Sequence, residues 1–65
     1  MCEFRVFLKK KNGEEMVSDD IIYAKVKGSS IVLRGILGNE VTVEKASILE
    51  VDVSAERLIL TPNLN

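Results

Sequence analysis

Apolar and polar residues alternate with a period of two along most of this 65-residue chain, and turn signals interrupt the alternation about every 8–12 residues. A period of two places successive side chains on opposite faces of an extended backbone, so the chain is committed to strands with one buried face. Cys2, Phe4, Val6 and Leu8 alternate with Glu3, Arg5, Phe7 and Lys9. Phe7 breaks the polar face, which predicts cover on both sides of this first strand. Asn12-Gly13 is the strongest turn signal, because both residues tolerate the positive φ of a tight hairpin. The segment from Glu14 to Val17 is expected to return along the first strand.

Further strands are expected over residues 21–27, with Ile22, Ala24 and Val26 on one face, and over 31–36. Glu40 to Glu44 gives the cleanest alternation. Residues 46–53 follow, with Leu49, Val51 and Val53 opposed to Glu50 and Asp52, and then residues 57–61. Pro62 has no backbone N–H and is expected to end the last strand, leaving 63–65 as a frayed tail. The expectation is an all-β domain spanning residues 1–65, a small SH3-like or Sm-like barrel of six to seven short antiparallel strands.

A domain of this size buries only about 60% of the surface its unfolded chain exposes, so association is a natural source of added stability. One cysteine cannot form an internal disulfide. With no secretory signal and no long apolar run, an unpaired thiol points to the cytoplasm and away from the membrane. Nine basic and ten acidic residues give a net charge of −1, which argues against a strong polyanion-binding field.

An enzyme is not expected. There is no histidine, the serines form no nucleophile elbow, and the four glycines form no phosphate loop. Glu14-Glu15 and Asp19-Asp20 are adjacent carboxylates, but neighbours on a strand point to opposite faces. They read as solvated charges. Lys9-Lys10-Lys11, with Lys25, Lys27 and Arg34 across strands, offers an RNA-binding rim, for which Phe7 and Tyr23 are the rings able to stack bases. The plainer reading is a solvated rim that discourages edge-to-edge aggregation.

Cys2 remains. A lone cysteine on a strand is ordinarily a small hydrophobe, but this one stands directly behind the initiator methionine. The peptidase that removes Met1 accepts small second residues. Its action would leave an α-amine and a thiol on one residue, a compact N,S chelate. The backbone amide of Glu3 can add a third donor once a metal promotes its deprotonation. Ni(II) and Cu(II) favour such in-plane nitrogen and thiolate donors, whereas Zn(II) gains nothing from square-planar geometry. One chain supplies too few ligands for a closed site, and a second chain could bring a second Cys2.

Met1-Cys2-Glu3, the alternating strand and Asn-Gly hairpin after it, and Asp20-Ile21-Ile22-Tyr23-Ala24 resemble the CooT-type small nickel-binding proteins. So do Leu33-Arg34 through Gly38, Glu50-Val51-Asp52-Val53 and Glu56-Arg57-Leu58-Ile59-Leu60. The resemblance spans nearly the whole chain. It implies a cytoplasmic SH3-like barrel that forms a homodimer and binds one Ni(II) through Cys2 at the dimer interface. It also implies a metallochaperone-like role in carbon monoxide dehydrogenase maturation. Only Cys2 carries over as a side-chain ligand, with the backbone of Glu3 beside it. Family members with the nickel role often have a small residue at position 4. Phe4 departs from that pattern, and its ring would either pack a dimer or crowd the metal. The group has also been labelled a predicted RNA-binding family. The alternatives are an RNA-binding barrel using Lys9 to Lys11 and a metal-free dimeric interaction module.

Overall fold

A computed structural model describes residues 3–63 and contains six strands: β1 (Phe4–Lys10), β2 (Gly13–Lys27), β3 (Ser30–Gly35), β4 (Glu40–Glu44), β5 (Ala46–Asp52) and β6 (Arg57–Pro62). They form one sheet in the order β4-β3-β2-β1-β6-β5. The sheet curls until β3 approaches β5, giving a half-closed barrel. One backbone bond ties the curl, Ala46 N–H donating to the Ser29 carbonyl (3.0 Å), while Asn63 N–H donates to the Lys45 carbonyl (2.8 Å) and prolongs the β5–β6 ladder. The all-β small-barrel expectation holds.

Three details differ from the sequence reading. First, β1 and β6 run parallel, from Arg5↔Arg57 to Leu8↔Leu60, while every other pairing is antiparallel. Second, 13–17 and 21–27 belong to one 15-residue strand. Asp20 adopts φ 54° within it, a left-handed conformation that aspartate tolerates better than most residues. Register shifts flank it on both partner strands, so the chain bends without leaving the sheet. One bent strand thereby serves both halves of the curl. Third, of the expected tail over 63–65, residues 64 and 65 lie outside the described residues, and Asn63 is held rather than frayed. Besides its backbone bond, its side-chain oxygen accepts a hydrogen bond from Ser47 Oγ (2.6 Å).

The core lies on the concave face. Val6, Ile31, Leu33 and Leu60 are fully enclosed, with Ile21, Ala46 and Leu58 beside them and Phe4, Leu8, Val17, Val41 and Val43 packed around. Most of these are inward positions of the alternation, but Ile21 and Ala46 lie off the faces it assigns to their strands. On the convex face Phe7 stands in register with Ile59, which is buried apart from the main cluster, and the Arg57 guanidinium lies 4.8 Å from the Phe7 ring centre. Arg57 Nη2 also donates to Glu14 Oε1 (2.6 Å). The predicted cover over Phe7 is therefore a guanidinium paired to a carboxylate.

The turn between β5 and β6 is organised by Asp52, whose Oδ1 accepts from Ala55 N–H (3.0 Å) and Ser54 Oγ (2.9 Å). The Ala55 amide first, and then the Ser54 hydroxyl, hold this carboxyl below its ordinary range. A carboxyl with a lowered folded value stabilises the fold above its unfolded value, about 3.9. That contribution is lost as pH falls through the lowered value. Asp52→Ala is expected to lower the thermal midpoint at neutral pH. The gap between variant and parent should close in strong acid, and a gap constant across an acid titration would contradict this role.

Candidate functional site

Cys2 and Met1 lie outside the described residues. Glu3 is the first residue described, half-buried and one position ahead of β1. The start of β1 is fixed on both sides. Arg5 N–H donates to the Glu56 carbonyl (2.9 Å), and Phe4 stands in register with Ile21. Phe4 packs against the core cluster and also lines an open groove of about 280 Å³. Ile22, Ala24, Ile48, Val51 and Leu58 line the same groove. Its surroundings are almost wholly apolar.

This groove exists because the concave face is only partly covered. Ala24 is in register with Leu33 and Val26 with Ile31, so they share the core face as the alternation predicts. Yet Ile22 is 46% exposed and Val26 58%. On β5 a register shift between Ile48 and Glu50 takes Leu49 out of step. Ile48 then faces Leu60, and Val51 faces Leu58. The expected face of Leu49, Val51 and Val53 does not form. Ile48 and Val51 turn inward instead, with Val51 still 55% exposed because nothing among the described residues covers that side of the curl. Large apolar surface gathered in one place marks an interaction site more often than scattered apolar residues do.

Among the described residues no group of three or more histidine, cysteine, aspartate or glutamate residues is positioned to hold a metal ion. The chain has no histidine and a single cysteine, so its thiolate chemistry is confined to Cys2.

The basic rim is dispersed. Lys9 faces Glu14 across the β1–β2 hairpin, and Lys10 forms an ion pair with Glu15. Lys25 and Lys27 belong to the other end of β2, so the structure does not assemble them with Lys9 to Lys11. Arg34 lies 4.1 Å from the Tyr23 ring centre and pairs with Glu40 (3.6 Å). Each ring proposed for base stacking therefore already has a guanidinium over one face. Exposed contacts of this type contribute about 0.5–1 kcal/mol each, an ordinary structural role.

The family model for the CO dehydrogenase accessory protein CooT matches residues 1–61, from the Met1-Cys2 start to Thr61 in β6. A search of curated proteins finds no match. No helix among the described residues is long and apolar enough to cross a membrane.

Proposed function

The chain belongs to the CooT family of CO dehydrogenase accessory proteins, and on that premise we propose that it is a Ni(II) carrier binding its cargo through Cys2. The observation that carries the proposal is the family match itself, which includes the Met1-Cys2 start. The chemistry of the donors supports it. With Met1 removed, Cys2 offers an amine and a thiolate from one residue, and the Glu3 backbone amide stands next in sequence. Such a donor set suits Ni(II) better than Zn(II). The proposed working form is a cytoplasmic homodimer of a single domain spanning residues 1–65, with Cys2 of both chains at the interface. Its client is a nickel enzyme of the CO dehydrogenase type undergoing maturation. The role is delivery, with no catalytic step of its own.

Phe4 fits a packing role. Its ring lies against the core and the groove, two positions along the chain from Cys2. The groove gives a second chain an apolar surface on which to seat.

Native mass spectrometry of untagged protein from nickel-supplemented cells tests the proposal, reporting Met1 removal, bound metal and oligomeric state together. Processed dimers carrying nickel are expected. Processed chains without metal would favour the interaction-module reading. An N-terminal extension that retains Met1 takes the α-amine away from Cys2. Loss of an outer-sphere partner alone costs a metal site ~10–100-fold in affinity, so loss of a ligating amine should cost at least roughly tenfold. A nickel titration of the two forms measures this, and equal affinities would remove the amine from the site.

A further inference from the structure

Among the exposed apolar residues, two features bear on association. One is the groove. The other is Leu37, at the tip of the β3–β4 turn, which is 91% exposed and the most exposed large hydrophobic residue among those described. Ile36 beside it is also exposed. One feature is concave and the other convex.

The turn that carries Leu37 is braced. Gly35 N–H donates to the Asn39 carbonyl (2.8 Å), Gly38 N–H to the Gly35 carbonyl (3.0 Å) and Ile36 N–H to the Asp20 carbonyl (3.0 Å). Gly38 sits at φ 89°, a conformation that strains residues with a Cβ. The Asn39 side chain occupies the space a Cβ on Gly35 would enter, 2.5 Å from its Oδ1. A leucine held out by this many contacts loses little conformational freedom on docking, which favours its use as an anchor.

The bond from Ile36 to Asp20 places the turn beside the β2 bend, immediately before Ile21 and Ile22, which line the groove. Knob and groove are therefore neighbours on one chain. This arrangement is self-complementary: a two-fold axis near the bend can bring each knob to the other chain's groove, giving two equivalent contacts and a closed assembly. The volumes agree, since about 150 Å³ accommodates benzene and about 280 Å³ leaves room for Leu37 with part of Ile36. The sheet edges offer a poorer route. β4 is short and bounded by Glu40 and Glu44, and β5 is interrupted by the shift at Leu49. Both devices discourage edge-to-edge pairing.

We propose that two copies of this chain associate by reciprocal insertion of the Leu37 turn of each into the Phe4–Ile22–Val51 groove of the other. The proposal rests on the homodimer reading above and assigns its contact surface. Burying a conventional 800 Å² or so per partner would take less than a fifth of the chain's 4544 Å².

The test is sedimentation equilibrium on the full chain, with circular dichroism confirming the fold of each variant. Leu37→Asp is expected to raise the dimer dissociation constant roughly 100-fold or more, because two buried leucines are lost at once. Ala24→Trp, which fills the groove, should do the same. An equimolar mixture of the two variants retains one intact contact, Leu37 of the Trp chain in the open groove of the Asp chain. It should dimerise more tightly than either variant alone. A monomeric parent, unaltered dimerisation of Leu37→Asp, or a mixture no tighter than its components would each overturn the assignment. Nickel uptake, followed separately by its thiolate charge-transfer band, distinguishes the two readings. A parent that dimerises through Leu37 but takes up no Ni(II) sinks only the carrier. Nickel uptake by a parent whose dimer ignores Leu37→Asp sinks only the contact.

Discussion

Replacing Cys2 with serine is expected to weaken Ni(II) binding by at least about 100-fold and to erase the thiolate-to-nickel charge-transfer band. The size of the effect follows from the inventory of donors. There is no second cysteine and no histidine in the chain, and among the described residues no acidic cluster is placed to take over. Loss of an outer-sphere partner costs a metal site about 10–100-fold, and loss of the one thiolate should exceed that range. Serine differs from cysteine by one atom, so the thermal midpoint of the apo protein should hardly move. Uptake by the parent should also fall on acidification, because protons must leave the thiol and the amine before the metal binds. Their ordinary values are about 8.5 and about 8. A serine variant that takes up Ni(II) as the parent does would end the assignment of Cys2.

Leu33→Ala is the second large effect, and it concerns the fold. Leu33 is fully enclosed on β3, in register with Ala24 on one side and Val41 on the other. Truncations of this kind cost about 2–5 kcal/mol, the upper values where surroundings cannot collapse into the void. At roughly 0.05–0.15 kcal/mol per residue, a chain of 65 residues has on the order of 3–10 kcal/mol in total. The variant should therefore lose about half its stability or more, read as a lower urea midpoint. Thr42→Ala, on the exposed side of β4, is the control and should change stability by less than about 0.5 kcal/mol. Equal midpoints for Leu33→Ala and the parent would mean the core does not depend on this layer. If folding and association are coupled, all midpoints will rise with protein concentration.

What could be read from the residues, and what could not, divides along physical lines. Local pattern carried far: the Asn12-Gly13 turn, the five residues of β4 and the inward positions Val6, Ile31 and Leu33 all follow from alternation and turn chemistry. The continuity of β2 was hidden because Asp19-Asp20 looks like a break. A left-handed aspartate bends a strand without ending it, and only the partner strands reveal that the ladder continues. The parallel pairing of β1 with β6 joins the two ends of the fold and leaves no local trace. The groove was equally hidden. Periodicity assigns Val26 to a face but cannot say whether that face is covered. One residue out of step at Leu49 then puts Ile48 inward with Val51 in place of Leu49. Cys2, by contrast, is singled out by position and composition alone, and it lies outside the described residues. The role proposed for it rests on chemistry at the start of the chain, which the fold does not display.

The parallel ladder between β1 and β6 also orders events during synthesis. β1 is flanked by β2, which follows it at once, and by β6, which the ribosome makes some fifty residues later. Until β6 emerges, the first strand has one neighbour and half of its final hydrogen bonds, so the nascent N-terminus stays open to enzymes acting on it. Loss of Met1, on which the proposed N,S chelate would depend, accordingly has the whole interval of translation in which to occur before the barrel sets. Chains arrested ahead of Arg57 should be processed as fully as those released after it.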